Sequence, residues 1–570
     1  MYKTLSTVAL AFLLLAACGA EQKQEQVQEQ PAEESRTPAA VAMPDGYAAQ
    51  VAEDILAVGG NAVDAGIAAQ FSLAVTLPEA GNIGGGGFML IYLDGEASFV
   101  DYRETAPLAA DRDMYLDADR NVIEGASTIG HLSVGVPGSV AGMWEAHQRF
   151  GTLPWADLVA PAIALARDGF VIHEKLGSNI ERGHGKFDGK TNFRDYFGSA
   201  VAGEPFKQPD LADTLQRIAD SGRDGFYRGK TADLIVAEME RGEGLITHED
   251  LQSYEAIWRE PLLVDWRGMQ LLSAPPPSSG GLAIVQLLKI KDYLAHEFEG
   301  LAHNSPQYVH LVAEIEKRVF ADRAEYLGDP DFIDVPVEKL LAEDYLQARA
   351  KEINISEIST ILDVRPGLES WETTHFSIID HDGNAVSNTT TLNLSFGSGV
   401  VVAGAGFLLN DEMDDFSVKP GVPNAFGVVG FRSNEIQPGK RMLSSMSPTI
   451  LLRGDEVELV VGTPGGSTIF TSVFQAITNI YDFGMTPLES AGAARFHHQL
   501  LPPDLIIFSP LAPLSEETIS ALGDQGYRAK PAPWPFGDLQ IVMREQDDVQ
   551  AGSDPYKRGE SRVLPVSPQD

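Results

Sequence analysis

A threonine hydroxyl, that of Thr373, is the candidate nucleophile of this sequence. It precedes a strand-like alternation over 374–380, and a second alternation follows over 385–392. A threonine hydroxyl is a weak nucleophile that needs an adjacent base. If the chain breaks before Thr373, the freed α-amine supplies that base, because its ordinary pKa of about 7.7–8.0 leaves much of it neutral near physiological pH. No histidine relay is then required, and we assign His375 a structural role.

The turn between the two predicted strands decides which residue lies opposite Thr373. If His381-Asp382-Gly383 is a three-residue loop with Gly383 in the left-handed position, Thr373 pairs with Thr391. Directly paired residues point to the same face, with Cβ atoms about 5 Å apart. This register predicts two adjacent hydroxyls at the open end of the hairpin. A two-residue turn would instead pair Thr374 with Thr391.

Two adjacent glycines, Gly465 and Gly466, follow a predicted strand over 456–461 and precede a predicted helix over 467–481. Glycines let backbone N–H groups approach a substrate closely, and a helix N-terminus adds partial positive charge. The turn is a candidate oxyanion hole for a tetrahedral intermediate, where losing one donor typically lowers the rate by about 10²–10³. A plain strand-to-helix turn is the alternative, and the motif taken alone favours it.

Three further polar segments have side chains suited to a charged ligand. In 101–104 an arginine stands among acids and suits bidentate binding of a carboxylate. The run 443–448 offers small hydroxyl donors for the same kind of group. The acidic cluster 411–416 suits an ammonium group or a metal, although no histidine cluster accompanies it. Each segment is alternatively ordinary surface polarity.

The elements that must position these residues are mixed in type. Apolar spacing predicts a helix over 47–58, a buried helix over 61–76 and a helix over 282–291. A glycine run at 84–87 leads into a predicted strand over 88–93. It lacks the lysine and hydroxyl residue of a phosphate loop, so we interpret it as tight backbone packing. Recurring strands and helices indicate a mixed α/β or α+β class.

Composition is ordinary for a large globular protein, with 44% hydrophobic and 22% charged residues. The balance is strongly acidic, 81 Asp and Glu against 42 Lys and Arg, for a formal net charge of -39. Binding to nucleic acid needs a basic surface, so this charge argues against such a partner.

The N-terminus resembles a bacterial lipoprotein signal. Lys3 precedes an apolar run over 8–17 that is too short to span a bilayer as a mature helix. The run ends in Leu15-Ala16-Ala17-Cys18, which contains the chain's single cysteine. We predict a signal peptide over 1–17, lipidation of Cys18 and a disordered tether over 18–42. An ordinary signal peptide with an incidental cysteine is the alternative.

Many short motifs occur in one order from about residue 43 nearly to the C-terminus. They are GGNAVDA (59–65), AGNIGGGGFML (80–90), DYRETAP (101–107), VGVPGSVAGMW (134–144), PPPSSGG (275–281), FADRAEYLGDPDF (320–332), TTHFSIIDHDGNAVSNTTTLN (373–393), NDEMDDFS (410–417), LSSMSPTI (443–450), GTPGGS (462–467) and ARFHHQ (494–499). Together they resemble the γ-glutamyltransferase (glutathione hydrolase) family of the N-terminal-nucleophile hydrolases.

The resemblance implies an α+β fold, a four-layer αββα sandwich. It implies self-cleavage between Glu372 and Thr373 into a large chain over 43–372, preceded by the tether, and a small catalytic chain over 373–570. The two chains would stay associated as one intertwined globular unit. Thr373 matches the family nucleophile and Thr391 the threonine that hydrogen-bonds it, while the pair Gly465 and Gly466 matches the oxyanion hole.

The resemblance also implies a pocket for a γ-glutamyl group. Residues matching those that hold its α-carboxylate are Arg103, Ser444 and Ser445, and residues matching those that hold its α-amino group are Asn393, Glu412 and Asp415. Phe426 stands in the lid loop where bacterial relatives commonly have tyrosine, which would remove one hydroxyl hydrogen bond. The implied substrates are glutathione and other γ-glutamyl amides, with water, amino acids or peptides as acceptors. No cofactor or metal is implied.

Two other functions remain open at this stage. One is a related acylase acting on cephalosporin side chains or poly-γ-glutamate, and the other is a non-catalytic lipoprotein scaffold. Intact Thr373, Thr391 and the glycine pair argue against the scaffold. The set of charged pocket residues favours a free glutamyl α-amino-carboxylate over an acylase substrate. With Cys18 lipidated, the expected location is the periplasm, anchored to a membrane.

Overall fold

The computed structural model describes residues 37–360, 373–419, 432–500, 502–546 and 548–566. Cys18, Glu372 and Phe426 therefore lie outside the described residues, as do the predicted signal peptide and most of the predicted tether. Of the described helices, none combines the length and apolar composition needed to cross a membrane.

Strands and helices occur in short runs along the described chain. The strands are β1 (Ala39–Met43), β2 (Gly86–Leu93), β3 (Glu96–Asp101), β4 (Phe170–Val171), β5 (Pro205–Phe206), β6 (Ile257–Arg259), β7 (Leu262–Trp266), β8 (Met269–Ser273), β9 (Thr374–Ile379), β10 (Ala385–Thr391), β11 (Thr449–Arg453), β12 (Glu456–Gly462), β13 (Phe496–His497), β14 (Leu505–Phe508), β15 (Arg528–Pro531), β16 (Gln540–Glu545), β17 (Asp548–Ser553) and β18 (Glu560–Leu564).

The helices are of very different lengths, from one turn to about six. They are α1 (Gly46–Ala57), α2 (Ala62–Thr76), α3 (Ser139–Phe150), α4 (Trp155–Asp168), α5 (Glu174–Phe187), α6 (Phe193–Phe197), α7 (Pro209–Ser221), α8 (Asp224–Tyr227), α9 (Gly229–Arg241), α10 (His248–Ser253), α11 (Gly280–Tyr293), α12 (Ala295–Phe298), α13 (Pro306–Tyr326), α14 (Val337–Leu341), α15 (Glu343–Lys351), α16 (Thr468–Phe483), α17 (Pro487–Gly492) and α18 (Glu516–Gln525).

Two large sheets carry the fold in the described part of the chain. The first has the strand order β18-β1-β9-β10-β2-β3-β6, and the second has the order β17-β16-β12-β11-β8-β7. In the first sheet, β9 and β10 follow the predicted cleavage position in sequence, yet they lie between β1 and β2, which precede it. Both sheets thus mix strands from the two predicted chains.

Three apolar cores separate four layers. One packs the outer face of the first sheet, including Phe376 and Ile378, against helices that include α1, α2 and α4. A second packs the outer face of the second sheet against α11, α13 and α16. The third joins the inner faces of both sheets, with Leu90 from one side and Val460 from the other. The arrangement is helix, sheet, sheet, helix, and the predicted α+β sandwich is confirmed.

Most element predictions are confirmed within a residue or two. The first predicted helix is α1, the second is α2 and the third is α11, while the paired strands are β9 and β10. Helix α2 begins where Asn61 caps it, since the Asn61 side chain accepts from the N–H groups of Val63 and Asp64. Every residue of α2 is buried, as its nearly all-apolar sequence predicts.

The predicted end of the tether at residue 42 is wrong. Strand β1 begins at Ala39, is buried throughout, and pairs with β18 on one side and β9 on the other. Its Ala-Ala-Val-Ala-Met sequence has few large apolar side chains, and for that reason we assigned it to the tether. Small side chains suit this position because Ala40 and Ala42 face the tightly packed layer between the sheets.

Candidate active site

The hairpin of β9 and β10 has the register predicted from the three-residue loop. Thr390 pairs with Thr374, which places Thr391 opposite Thr373. At the other end the Asp380 N–H donates to the Asn384 carbonyl at 2.9 Å. Gly383 has a φ of 83°, a left-handed conformation that glycine adopts at no steric cost. The alternative two-residue turn is therefore excluded.

Alternation along the hairpin explains where Thr373 points. Ile379 belongs to the core between the sheets, and the Ser377 Oγ donates to the Gln540 carbonyl of the second sheet at 3.0 Å. Thr373 shares their parity, so its side chain points to the same side. It stands at the open end of the layer between the sheets, where it is partly exposed. The strand thus places a hydroxyl at a junction of both sheets.

The hydroxyl oxygens of Thr373 and Thr391 lie 3.4 Å apart. Thr391 Oγ also accepts a hydrogen bond from the Asn393 N–H at 2.8 Å. Asn393 has a φ of 76°, which is uncommon outside glycine and best tolerated by asparagine and aspartate. Its side-chain amide donates to the Asp411 carbonyl at 3.0 Å and so ties the end of the hairpin to the acidic cluster.

The glycine run at 84–87 packs directly against strand β10. A Cβ at Gly85 would lie 2.1 Å from the Thr391 carbonyl oxygen, and one at Gly87 would lie 2.3 Å from that of Thr389. Real side chains do not tolerate such distances, so these positions need glycine. The prediction of tight backbone packing is confirmed, and the packing holds Thr391 in place.

His375 is enclosed between the sheets as the structural prediction requires. Its Nδ1 lies 2.8 Å from Thr389 Oγ and its Nε2 lies 3.1 Å from Ser377 Oγ. Burial lowers the pKa of His375 to about 3, so the ring is neutral near physiological pH. A Cβ at Gly462 would lie 2.2 Å from the ring, which fixes a glycine there.

Gly465 and Gly466 form the turn between β12 and α16. Their φ angles are 139° and 55°, both in the range that favours glycine. Within the described part of the chain, their N–H groups make no hydrogen bond, and they lie just before the first turn of α16. Two unused donors at a helix N-terminus are suited to an oxyanion.

Arg103 follows strand β3 and is 1% exposed. Its Nη1 makes an ion pair with Glu412 and its Nη2 makes one with Asp415. The guanidinium also donates from Nη2 to the Leu443 carbonyl at 3.3 Å. Arg103 is therefore in contact with both segments, 411–416 and 443–448, that the sequence predicts for a charged ligand.

The carboxylates around Arg103 outnumber it. Burial raises the pKa of Glu412 well above its usual range and that of Glu104 to about 8, while Arg103 opposes both shifts. Burial likewise raises the pKa of Asp415, again against Arg103. A cation entering this cluster would relieve the repulsion among the acids.

Ser444 and Ser445 are held by a neighbouring loop. The Ser444 carbonyl accepts from the Ser279 N–H at 2.8 Å, and the Ser444 N–H donates to the Pro277 carbonyl at 3.0 Å. The buried Arg323 of helix α13 donates from Nη2 to Ser445 Oγ at 3.1 Å and from Nε to Ser279 Oγ at 3.0 Å. We did not single out Arg323 from the sequence, although it lies in the motif 320–332.

Nearly all the predicted site residues meet in one small cavity. Its lining consists of Arg103, Thr373, Thr391, Asn393, Glu412, Asp415, Ser444, Ser445, Met446, Gly466 and Ile469. Gly465 is adjacent to the lining without belonging to it, and Phe426 lies outside the described residues. The cavity measures only ≈ 20 Å³, about the room for one water, and Arg103 and the two acids it pairs with are all in its lining.

The acidic cluster was considered above as a possible metal site. Across the described segments, no group of three or more histidine, cysteine, aspartate and glutamate side chains could hold a metal ion. The acids of 411–416 instead contact Arg103, Ser127 and backbone N–H groups.

The sequence matches the family described as Gamma-glutamyltranspeptidase over residues 48–564. A relative from Pseudomonas aeruginosa, named glutathione hydrolase proenzyme, is 59% identical over 92% of this chain and 94% of its own length.

Two solved structures extend the comparison. A cephalosporin acylase from Bacillus halodurans superposes with a TM-score of 0.80 at 27% identity, covering 94% of this chain and 98% of that one. A gamma-glutamyltranspeptidase from Pseudomonas nitroreducens complexed with L-DON superposes with a TM-score of 0.55 at 55% identity, covering 56% of this chain and 95% of that one.

Proposed function

The chain belongs to the gamma-glutamyltranspeptidase family, whose members hydrolyse and transfer γ-glutamyl groups, and we propose that it cleaves glutathione and related γ-glutamyl amides. The observation that carries the proposal is the single cavity in which the Thr373 and Thr391 hydroxyls meet Arg103 and two carboxylates. A hydroxyl nucleophile beside binding groups of both charges suits an acyl donor with an α-amino-carboxylate.

The active form arises by self-cleavage between Glu372 and Thr373. The Thr373 hydroxyl attacks the carbonyl of residue 372, the C–N bond breaks to give an ester, and water opens the ester. Support comes from the word proenzyme in the name of the Pseudomonas aeruginosa relative. The products are a large chain ending at 372 and a small chain over 373–570, held together by their shared sheets.

In the mature enzyme, the α-amine of Thr373 takes the proton of its own hydroxyl as the oxygen attacks the γ-carbonyl carbon. The N–H groups of Gly465 and Gly466 stabilise the resulting oxyanion. The protonated amine then donates to the leaving nitrogen as the C–N bond breaks, which leaves a γ-glutamyl ester on Thr373. Water or an acceptor amine opens the ester, giving up its proton to the α-amine, which returns one to the hydroxyl.

Recognition of the glutamyl group replaces one set of ion pairs by another. Arg103 leaves the acids to bind the α-carboxylate together with Ser444 and Ser445. The α-amino group takes the place of the guanidinium beside Glu412 and Asp415, with Asn393 completing its contacts. The α-carboxylate thus gives Arg103 a new partner, and the α-amino group gives the two acids a new cation. A ligand that carries only one of these charges would leave buried charges of the protein unpaired.

Hydrolysis of other amides is a second candidate, favoured by the superposition with a cephalosporin acylase. A glutaryl amide, one donor of that kind, lacks a free α-amino group beside its carboxylate. When Arg103 binds the carboxylate of such a donor, the buried acids Glu412 and Asp415 are left without a cation. The buried acids therefore favour a γ-glutamyl donor. A non-catalytic scaffold would have no need of the hydroxyl pair in the cavity.

The protein is carried to the cell envelope as a lipoprotein. Support lies in the sequence of the N-terminus, where Cys18 follows a short apolar run and the segment after it is rich in Gln, Glu, Ala and Pro. Lipidation of Cys18 anchors the enzyme in the periplasm, with substrates as small molecules and no nucleic-acid partner.

The deciding experiment compares γ-glutamyl p-nitroanilide with glutaryl p-nitroanilide, which lacks only the α-amino group. Release of nitroaniline from the first compound, with a strong preference over the second, is the expected result. Equal turnover of both compounds would favour the acylase function. No turnover of either, in protein that has been cut at 372/373, would favour the scaffold.

A further inference from the structure

The turn between β12 and α16 carries its two proposed oxyanion donors on consecutive peptide groups. The Gly465 N–H shares a peptide plane with the Pro464 carbonyl, and the Gly466 N–H shares one with the Gly465 carbonyl. Both peptides are trans, so the C=O and the N–H of each point in opposite directions. A contact that holds one of these carbonyls therefore also fixes the direction of the N–H on the same peptide.

A threonine side chain holds the second of these peptides. Thr468 Oγ donates to the Gly465 carbonyl at 2.7 Å, and the Thr468 N–H donates to the same oxygen at 3.0 Å. Thr468 is buried in the first turn of α16. Two donors on one carbonyl restrict the rotation of the peptide plane. The N–H of Gly466, which lines the γ-glutamyl cavity, is thereby held away from the helix.

Another threonine holds the first peptide. Thr463 Oγ donates to the Pro464 carbonyl at 3.0 Å and accepts from the Asp538 N–H at 2.7 Å. Thr463 directly follows β12, and Asp538 lies shortly before β16, which is the neighbouring strand of the second sheet. The sheet therefore positions the hydroxyl, and the hydroxyl positions the peptide plane that carries the Gly465 N–H.

A turn built from two glycines needs such support. Glycine adopts positive and negative φ angles about equally well, so Gly465 and Gly466 have little conformational preference of their own. An oxyanion hole is effective when its donors already point to where the negative charge develops, because no reorganisation is then needed during the reaction. The two hydroxyl contacts supply this preorganisation from outside the glycines.

We infer that Thr463 and Thr468 are positioning residues of the oxyanion hole, each orienting one of the two N–H donors through the carbonyl of the same peptide. Neither threonine lines the γ-glutamyl cavity, so each acts through the turn and not on the substrate. The inference rests on the proposed function, since it needs an oxyanion to form beside Gly465 and Gly466.

The test removes each hydroxyl separately. Thr463→Val and Thr468→Val keep the branched shape and lose the hydroxyl, whereas Thr463→Ser and Thr468→Ser keep the hydroxyl. Steady-state kinetics on γ-glutamyl p-nitroanilide follow a check that each variant is cut at 372/373. We expect each valine variant to lose about 3- to 30-fold in kcat/KM, mainly in kcat, because a misdirected donor loses part of the about 10²–10³ that a missing donor costs. The serine variants should recover most of this loss.

A second readout separates positioning from mere stability. The probe is a glutamate analogue with a boronic acid in place of the γ-carboxyl group. Thr373 Oγ bonds to the boron and its proton passes to the α-amine, which leaves a tetrahedral boronate with an oxygen where the oxyanion would lie. Its inhibition constant should rise by the factor by which kcat/KM falls. A variant that merely contains less folded enzyme keeps the wild-type inhibition constant.

The matched control is Thr478→Val, which makes the same substitution at another buried threonine of α16. Its hydroxyl donates to the Phe474 carbonyl at 3.1 Å, within the helix and away from the glycine turn. We expect this variant to keep the wild-type kcat/KM and the wild-type inhibition constant.

Mature valine variants with wild-type kcat/KM and wild-type inhibition constants would overturn the inference. Serine variants as impaired as the valine variants would also overturn it, because the methyl group and not the hydroxyl would then matter. If one valine variant fails to mature, the other valine variant and the two serine variants decide. Mature wild type that does not cleave the anilide would instead refute the proposed function, so the two failures are distinguishable.

Discussion

Thr373 and Thr391 face each other across an antiparallel pair, with their hydroxyl oxygens 3.4 Å apart. Thr391 is fixed from two further sides, by the N–H of Asn393 and by the close approach of Gly85 to its carbonyl. The proposed nucleophile is thus held by the hairpin itself, and the proposed mechanism needs no histidine.

Thr373→Ala should leave one uncut chain, because the alanine has no hydroxyl to attack the preceding carbonyl. Thr373→Ser keeps both the hydroxyl and the future α-amine and should still mature. Denaturing electrophoresis with N-terminal sequencing of the smaller band measures the outcome. Normal cleavage of the alanine variant would show that Thr373 is not the residue that cuts the chain.

Arg103→Ala should lower kcat/KM on γ-glutamyl p-nitroanilide by roughly 10- to 150-fold, the value of a charge-assisted contact of about 1.5–3 kcal/mol. If the contact is equally strong in the ground and transition states, the loss appears mainly in KM. Arg103→Lys keeps the charge beside Glu412 and Asp415 and separates the loss of geometry from the loss of charge. A matured alanine variant with wild-type kcat/KM contradicts the assignment of Arg103 to the α-carboxylate.

Arg323 and Ser445 should act on substrate binding as one unit, because Arg323 Nη2 donates to Ser445 Oγ at 3.1 Å. Arg323→Lys and Ser445→Ala should each raise KM. The loss in kcat/KM of the double variant, expressed as a free energy, should be smaller than the sum of the two single losses, with a coupling energy of about 1 kcal/mol. Ser279→Ala is the matched control, because it removes the other hydrogen-bond partner of Arg323 and leaves Ser445 in place. Strict additivity in kcat/KM would show that the arginine does not act through Ser445.

His375 should make the fold sensitive to acid. Its pKa is about 3 when folded and near 6.5 when unfolded, so below pH 6.5 only the unfolded state takes up the proton. The stability that neutral His375 contributes is present above pH 6.5 and is lost as the pH falls toward 3, at up to about 1.4 kcal/mol per pH unit. Thermal unfolding from pH 7.5 to 4.5 should therefore show a smaller decline in Tm for His375→Gln than for the wild type.

The control for that measurement is His296→Gln, which makes the same substitution at an exposed histidine. Equal slopes for the wild type and His375→Gln would mean that other groups account for acid sensitivity.

Cys18→Ser should release the protein from membranes or block its processing, because no other cysteine is available for lipidation. Cell fractionation and intact mass of the N-terminal peptide report the result. Ala20→Ser, two residues further on, controls for any change near the processing site. A serine variant that stays in the membrane fraction, with no lipid mass on Cys18 in the wild type, rejects the anchor.

The hairpin shows how far local sequence rules reach. The loop 381–383 offers one position for a left-handed residue, Gly383 occupies it, and the register then follows by counting. Helix α2 and the glycine run at 84–87 were likewise predictable, because their composition leaves little choice of structure.

Contacts between distant segments were not predictable in this way. Arg103 was expected to hold a ligand's carboxylate, yet in the free protein it pairs with Glu412 and Asp415, because opposite charges in one buried site neutralise each other. Arg323 reaches Ser445 from helix α13 only through tertiary packing. Strand β1 was not predicted, because its small side chains are buried only by contact with strands far away in the sequence.

The position of β9 and β10 between β1 and β2 has a consequence for the life of the mature enzyme. Cleavage at 372/373 would leave two polypeptides, each lacking the central partners of its own strands. Once denatured, they would have to find each other in solution, a concentration-dependent encounter that competes with aggregation through exposed strand edges. The uncut chain folds as one molecule, whereas the cleaved enzyme would not readily reassemble after unfolding. The lifetime of the cleaved enzyme is therefore set by its rate of unfolding and not by its equilibrium free energy of unfolding.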